Sequence, residues 1–229
     1  MRIDVITLFP AIFPGPLAVS IPGRALERGL AELHAHDLRQ WGIGRHRSVD
    51  DYPYGGGAGM ILRPEPIAAA LDTIAPAGSD AFRVLLDPGG EPFRQARAHD
   101  LAERAHLVFI CPRYEGVDER VRALVDLELS LGDFVLSGGE VAAMAVIDAV
   151  LRLLPGAIED ASTEDESFST GLLEYPQWTR PPEFRGQAVP EILLSGNHGA
   201  VDAWRHERAF ERTRRLRPDL LSAEELADD

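Results

Sequence analysis

The chain has 229 residues, of which 45% are hydrophobic and 26% charged, a composition that excludes collagen-like, mucin-like and wholly disordered chains. No apolar run approaches the ~20 residues needed to cross a bilayer and the start lacks a signal-peptide cleavage site, so we expect no membrane association and a cytoplasmic location. The net charge of −14 excludes a protein that coats nucleic acid through its overall charge. Every basic residue is Arg, which excludes chemistry that needs a lysine.

Strand-like and helix-like segments alternate from the start of the chain to about residue 154. The strand segments are short, apolar and rich in β-branched residues, whereas the helix segments have apolar residues at helical spacing. The pattern predicts strands at 3–9, 33–41, 83–86, 107–110 and from 127, and helices at 24–33, Pro64–Ile74, 96–105 and 140–154. This alternation predicts an α/β fold with a mainly parallel sheet, which binds ligands at the carboxyl ends of its strands.

The composition changes after residue 156. Residues 159–168 contain five acidic residues and no basic one, which is typical of a mobile linker. Helical patterns follow at 190–194 and 200–213, with Asn197 or His198 near a helix start. We therefore expect an α/β domain at 1–158, a flexible acidic linker at 159–170 and a small helical domain at 171–229.

A glycine-rich block lies in the predicted loop over 42–59. Four of the five residues at 55–59 are glycine, which allows a backbone to approach a ligand closely. The block lacks the Gly-Lys-Ser/Thr of a phosphate-binding P-loop and has no clear strand before it, as a dinucleotide fingerprint would. Carboxylates and aromatic rings flank it at Asp50, Tyr52 and Tyr54, and these groups favour recognition of a nucleobase over an ordinary surface loop.

Three further loops follow predicted strands, at 85–90, 111–116 and 130–139. Any one of them alone could be an ordinary turn between a strand and a helix. Together, their glycines and backbone amides would suit a flat heteroaromatic ligand at one edge of the sheet. Because it follows a buried strand and precedes a proline, we interpret Cys111, the only cysteine, as structural.

A basic stretch near the C-terminus differs from the acidic remainder of the chain. Six arginines and two glutamates lie between residues 205 and 217, which favours a phosphate-binding stripe over a solvated helix face. The seven histidines form no zinc-type grouping with cysteine, so we expect no metal site.

In several long blocks the sequence resembles the bacterial tRNA (guanine-N1)-methyltransferase family of the SPOUT class. The blocks are residues 45–60, Arg113-Tyr-Glu-Gly-Val-Asp-Glu-Arg, Gly132-Asp-Phe-Val-Leu-Ser-Gly-Gly-Glu, residues 171–181, and Leu194-Ser-Gly-Asn-His followed by Trp204-Arg. The resemblance covers nearly the whole chain and implies a deep trefoil knot in the sheet domain, a homodimer with active sites at the subunit interface, and methylation of guanine 37 of tRNA.

The resemblance also implies S-adenosylmethionine as the methyl donor, bound in the knot, and attaches a Mg²⁺ requirement for which the sequence has no dedicated site. The implied donor contacts are Leu85, Leu86, Asp87, Tyr114, Glu115, Gly116, Ser130, Leu131, Gly132, Phe134, Val135, Leu136, Gly138 and Gly139. The implied RNA contacts are Asp50, which would read the guanine at position 36, together with Tyr54, Gly55, Gly57, Arg180, Arg205, Arg208, Arg212, Arg214 and Arg215.

In the family, a carboxylate removes the proton from guanine N1 and an arginine stabilises the charge on O6. Arg152 matches the arginine. The position of the carboxylate, which is Asp in the family, holds Glu166 here, and Asp165 is the alternative. A second departure is Pro112, which stands where the family has Gly and removes one amide donor.

Two other functions are compatible with these residues. The first is a SPOUT methyltransferase that acts on a different RNA, at a base or a 2′-hydroxyl. The second is a non-catalytic RNA-binding or assembly protein that has kept the fold, which the departure at Glu166 leaves open, although the intact glycine-rich loops and Arg152 argue against it. The fold by itself decides between none of these functions.

Overall fold

A computed structural model describes residues 1–158 and 166–227 of the chain. The chain divides into two compact units, Met1–Ile158 and Glu159–Asp229, and each is described by itself. Among the described residues no helix is both long and apolar enough to cross a membrane.

The first unit is built on a five-stranded sheet in which every neighbouring pair of strands is parallel. The strands of the unit are β1 (Arg2–Thr7), β2 (Glu32–Asp37), β3 (Asp50–Asp51), β4 (Ile61–Leu62), β5 (Ala81–Pro92), β6 (His106–Ile110) and β7 (Leu127–Ser130). The order in the sheet is β2-β1-β6-β5-β7, while β3 and β4 form a separate antiparallel pair. The predicted α/β fold with a parallel sheet is confirmed.

Helices cover both faces of this sheet, since alternate residues of each central strand are buried on opposite sides. Ile3 and Val5 of β1 belong to one apolar cluster, whereas Ile6 belongs to the other. The helices are α1 (Pro14–Leu17), α2 (Ser20–Glu27), α3 (Pro64–Ile74), α4 (Gln95–Ala102) and α5 (Glu140–Leu151). The first cluster contains residues of α1, α2, α4 and α5, and the second contains residues of α3.

Most predicted elements are confirmed, with shifts at their ends. Helix α3 has the predicted bounds, because Pro64 opens it and supplies a φ suited to the first helical turn. The bounds predicted for the helix at 24–33 are wrong. Helix α2 ends at Glu27, Gly29 takes a φ of +70°, and the chain then enters β2, because a left-handed glycine ends a helix.

Helix α5 is apolar almost all round and is largely buried. Ala143, Val146, Ile147 and Val150 contribute to the first cluster with no exposed area, while Val141 on the opposite face is 56% exposed. The buried half of the helix matches the prediction of a core element, and its exposed apolar face is compatible with a partner.

The described part of the second unit contains one long helix, α6 (His198–Leu216), and a short one, α7 (Ala223–Ala227). Asn197 caps α6, and its side chain accepts a hydrogen bond from the backbone N–H of Ala200. A short antiparallel pair, β8 (Glu183–Phe184) and β9 (Gln187–Ala188), precedes them. This hairpin, which turns at the left-handed Gly186, is a feature that the helical pattern of the sequence does not predict.

Candidate active site

An open cleft lies at the carboxyl ends of β6 and β7 and against residues 86–88 within β5, and it encloses a cavity of about 200 Å³. We call it the strand-end cleft. Its walls come from the three loops that the sequence singled out. The lining residues are Leu86, Asp87, Pro88, Pro112, Arg113, Tyr114, Glu115, Gly116, Leu129, Ser130, Leu131, Gly132, Phe134, Val135, Leu136, Gly138, Gly139 and Ala142.

The fold brings together all the residues predicted to contact the methyl donor except one. Leu85 is fully buried in the second apolar cluster, because it alternates with Leu86 along β5 and faces the other side of the sheet. The prediction did not include five lining residues: Pro88, Pro112, Arg113, Leu129 and Ala142. Pro88, Arg113 and Leu129 each adjoin a predicted residue in the chain. Pro112 lies in the predicted loop at 111–116, and Ala142 lies one helical turn after Gly139.

The loop from Asp87 to Gly90 is an irregularity within strand β5. Leu86 and Glu91 both pair with Leu129 of β7, so the residues between them bulge out of the ladder. A side chain at Gly90 would meet the backbone of β7, with its Cβ 2.6 Å from the carbonyl carbon of Glu128. The bulge therefore needs a glycine where it rejoins the sheet.

The Asp87 carboxylate is fixed at the cleft wall. Arg122 Nη2 donates to Asp87 Oδ2 at 3.0 Å, and the backbone N–H of Gly89 donates to Asp87 Oδ1 at 2.8 Å. Arg122 also forms ion pairs with Glu119 and Glu128. Its one positive charge thus faces three carboxylates, which leaves the local charge of the wall negative.

Gly139 allows the loop after β7 to touch the loop after β6. A Cβ at Gly139 would lie 2.8 Å from the Cα of Cys111 and 3.0 Å from Pro112 Cδ. The N–H of Gly139 donates to the Pro112 carbonyl at 2.9 Å. Pro112 has no N–H to donate, but it accepts a backbone hydrogen bond through its carbonyl oxygen.

The loop after β6 is also joined to the glycine-rich block. Glu115 N–H donates to the Met60 carbonyl at 3.0 Å and Leu62 N–H to the Gly116 carbonyl at 2.9 Å. Tyr114 has a φ of +60°, which is strained for a residue with a side chain. Burial and the nearby carboxylate of Asp50 raise the pKa of the Tyr114 phenol. Asp50 thus lies beside a residue that lines the cleft.

The block itself is exposed. Gly55, Gly56, Gly57 and Gly59 all have positive φ, and Tyr54 is fully exposed. A side chain at Gly59 would overlap the Glu115 carboxyl group. The glycines therefore allow both the left-handed turns of the loop and its close approach to the cleft.

Arg152 follows the last residue of α5 as its C-terminal cap, and its backbone N–H donates to the Asp148 carbonyl at 3.2 Å. The side chain is partly exposed, and a cation at this end of a helix is favourable. Asp165, the alternative to Glu166, lies outside the described residues.

Glu166 is the first described residue of the second unit. Its carbonyl accepts hydrogen bonds from the backbone N–H of Ser169 at 3.1 Å and from the Ser169 hydroxyl at 2.7 Å. Glu166 lines a polar cavity of about 340 Å³ together with Tyr175, Arg205, His206 and others. The Arg205 guanidinium carbon lies 4.8 Å from the centre of the Tyr175 ring.

The predicted basic stripe lies on α6, and several of its charges are already paired. Arg208 forms ion pairs with Glu207 and Glu211, and Arg205 lies 3.7 Å from Asp202. Arg212 donates to the Glu174 carbonyl at 3.2 Å. Arg215 and Arg180 are exposed, and Arg214 is partly exposed.

The remaining candidate groups serve the core. Burial, and then the charge of Glu140, raise the pKa of the Cys111 thiol well above its usual value, which matches its interpretation as structural. The described residues hold no group of three or more His, Cys, Asp or Glu side chains suited to a metal ion.

The chain is similar to known proteins along nearly its whole length. Residues 1–223 match the family model described as "tRNA (Guanine-1)-methyltransferase TrmD". Proteins named tRNA (guanine-N(1)-)-methyltransferase are similar to it in several bacteria. The one from Clavibacter sepedonicus is 54% identical, over 96% of this chain and 99% of its own length. The protein from Geobacter sp. strain M21 is 53% identical, over 96% of this chain and 90% of its own length. The protein from Pediococcus pentosaceus is 51% identical, over 100% of this chain and 95% of its own length.

Proposed function

Because this chain belongs to the tRNA (guanine-1)-methyltransferase TrmD family, we propose that it methylates N1 of guanine 37 of tRNA, beside the anticodon, with S-adenosylmethionine as the donor. The observation that supports this most is the strand-end cleft, in which three separate loops meet at the carboxyl edge of a parallel sheet. Ligands of open α/β sheets bind at that edge.

The cleft residues suit this donor. Leu86, Leu131 and Val135 offer apolar walls for a flat purine, and Gly138 and Gly139 line the cleft with backbone. Asp87, already fixed by Arg122, and Ser130 are polar groups that could hold hydroxyls of the ribose. The donor supplies an electrophilic methyl group on a sulfonium.

Guanine N1 carries a proton and is a poor nucleophile until that proton leaves. In our proposal the Glu166 carboxylate takes the proton, and the N1 electron pair forms the new bond to the methyl carbon while the carbon–sulfur bond breaks. The products are N1-methylguanine and S-adenosylhomocysteine. Arg152 stabilises the negative charge that spreads to O6, as a preorganised cation would. Asp165 is the alternative base.

Recognition of the RNA would use the glycine-rich block and α6. Asp50 is proposed to read the guanine at position 36, with the backbone of the exposed turn at 54–57 close to the RNA. The target base must leave its stack to reach the cleft. The arginines of α6 would hold phosphates of the anticodon stem.

We further propose a homodimer with active sites at the subunit interface, a trefoil knot in the sheet unit and a cytoplasmic location with the tRNA. The exposed apolar face of α5 around Val141 supports the dimer. We assign no described residue to Mg²⁺, because no carboxylate cluster stands out for it.

The experiment that tests the proposal is methyl transfer from labelled S-adenosylmethionine to two tRNA transcripts that differ only in guanine or adenine at position 37. We expect label on the guanine transcript alone, at N1. Label on both transcripts would indicate another position in the tRNA. Label on neither, from folded protein, would indicate a different RNA substrate or a non-catalytic RNA-binding role.

Variants test the assigned residues. We expect Arg152→Ala and Glu166→Gln each to lower kcat by about 10²-fold or more, with donor affinity retained. The matched control is Glu191→Gln, an exposed carboxylate on the same unit. Near-normal turnover in Glu166→Gln together with loss in Asp165→Asn would assign the base to Asp165.

A further inference from the structure

A buried ion pair joins the loop after β6 to the start of α5, beside the strand-end cleft. Glu140, the first residue of α5, is 1% exposed, and its Oε2 lies 2.9 Å from Arg113 Nε. Both atoms are buried, and neither has a hydrogen bond among the described residues, so the attraction between them is ionic. A charge buried in this way depends on its partner, because removal of either leaves the other uncompensated.

The carboxylate of Glu140 is anchored in the core on its other side. The Thr7 hydroxyl, which is fully buried at the end of β1, donates to Glu140 Oε1 at 2.8 Å. The Thr7 oxygen in turn accepts the backbone N–H of Phe9 at 2.9 Å. Glu140 therefore has a fixed position in the centre of the sheet unit.

Arg113 connects Glu140 to the cleft. Its Nη1 donates to the Ser137 carbonyl at 3.1 Å, so the side chain crosses from the loop after β6 to the loop after β7. Its guanidinium carbon lies 4.6 Å from the centre of the Phe9 ring. Arg113 lines the cleft, whereas Glu140 does not.

The backbone around the pair leaves room for it. A Cβ at Gly138 would lie 2.6 Å from Glu140 Oε2 and 2.5 Å from Arg113 Cδ. The ion pair thus packs directly on the backbone of a residue that lines the cleft.

We infer that Glu140 is a positioning residue for the methyl donor, which acts through Arg113 by holding the loops at 111–116 and 131–139 at the separation that the donor needs. This inference rests on the proposed function. It concerns donor affinity and not the reacting atoms, so it predicts an effect on KM for the donor rather than on kcat.

The test compares Glu140→Gln, Arg113→Met and the double variant by calorimetry with S-adenosylmethionine and by steady-state kinetics. Gln keeps the shape of the side chain and its bond to Thr7 but lacks the charge. We expect each single variant to raise the donor Kd and KM about tenfold, kcat to stay within about twofold, and the double variant to equal the singles because the two residues act as one unit. Arg113→Lys should restore part of the affinity.

The control is Asp4→Asn, which alters another buried carboxylate of the same unit, one that does not line the cleft. It should lower stability with no change in donor affinity. If Glu140→Gln does not fold, the partly exposed Arg113 carries the test through Arg113→Met. Tight donor binding by the wild type together with unchanged Kd in the variants would overturn the inference alone. A kcat loss at unchanged KM would also overturn it, since that is the result of a lower active fraction. No donor binding by the wild type would overturn the proposed function as well.

Discussion

The carboxylate of Asp4 lies 2.6 Å from His36 Nε2 on the neighbouring strand β2, through its Oδ1. Its Oδ2 lies 2.6 Å from Arg2 Nε and 2.7 Å from His106 Nε2 on β6. Burial alone would raise the pKa of Asp4, but the hydrogen bonds from His36, Arg2 and His106 outweigh it and hold the pKa well below its usual range. A fully buried acid is therefore kept ionised between three strands.

This arrangement predicts how the free energy of unfolding depends on pH. A carboxyl group whose pKa is depressed by folding contributes stability that is present above its unfolded pKa of about 4 and is lost as the pH falls toward the folded value. We expect Asp4→Asn to lower the free energy of unfolding at pH 7 by about 2 kcal/mol. The difference between wild type and variant should shrink below pH 4, as measured by urea unfolding across pH. A difference that is constant from pH 7 to pH 3 would contradict this account.

The wall of the strand-end cleft depends on Arg122, which fixes Asp87. We expect Arg122→Gln to weaken S-adenosylmethionine binding about tenfold, or ~1.4 kcal/mol, because Asp87 loses its charged partner and moves. Calorimetry with the donor measures this change.

Arg97→Gln is the matched control for that variant. Arg97 forms ion pairs with Glu91 and Asp100, and its side chain is 28% exposed, against 30% for Arg122. Donor affinity should be unchanged in this variant. Equal losses in the two would mean that the effect comes from a general change in charge.

Gly138 leaves room for the ion pair of Arg113 and Glu140, so we expect Gly138→Ala to cost about 1–3 kcal/mol of stability through overpacking and to weaken donor binding. Gly15→Ala is the control, since a Cβ there would meet nothing within 4 Å. Thermal unfolding and calorimetry compare the two variants. Wild-type donor affinity in Gly138→Ala would show that the walls tolerate a shift of the pair.

Cys111 should be unreactive in the folded protein. Its thiol is buried and its pKa is raised by burial and by Glu140, and the thiolate is the reactive form. We expect iodoacetamide to modify Cys111 at least about 10²-fold more slowly in buffer than in urea, as followed by mass spectrometry. Equal rates in buffer and in urea would mean that the chain at the end of strand β6 opens readily.

The sequence predicted the sheet class because its strands are short apolar runs separated by helical patterns, a local signal. Helix α3 was predicted with its correct bounds since Pro64 marks its start. The end of α2 was not predicted, because the residues on both sides of Gly29 have helical spacing and the sequence pattern continues through the glycine. The hairpin around Gly186 was missed because its strands have only two residues each.

At the site, the three strand-end loops could be predicted to converge, since the carboxyl ends of parallel strands share an edge. Leu85 was predicted to contact the donor, but side chains alternate along β5, so Leu86 faces the cleft and Leu85 faces the other side of the sheet. The partners of the cleft residues could not be predicted. Arg122 lies 35 residues from Asp87, and Thr7 lies 133 from Glu140, and nothing in the composition of such distant segments indicates that they touch.

The bulge in β5 allows one strand both to pair with β7 and to line the cleft. Val84 to Leu86 pair with β7 before it, and Glu91 and Pro92 pair with β7 after it, so the ladder continues on both sides of Asp87–Gly90. Substitutions at Asp87 and Pro88 can therefore alter what the cleft accepts while the register of the sheet stays the same.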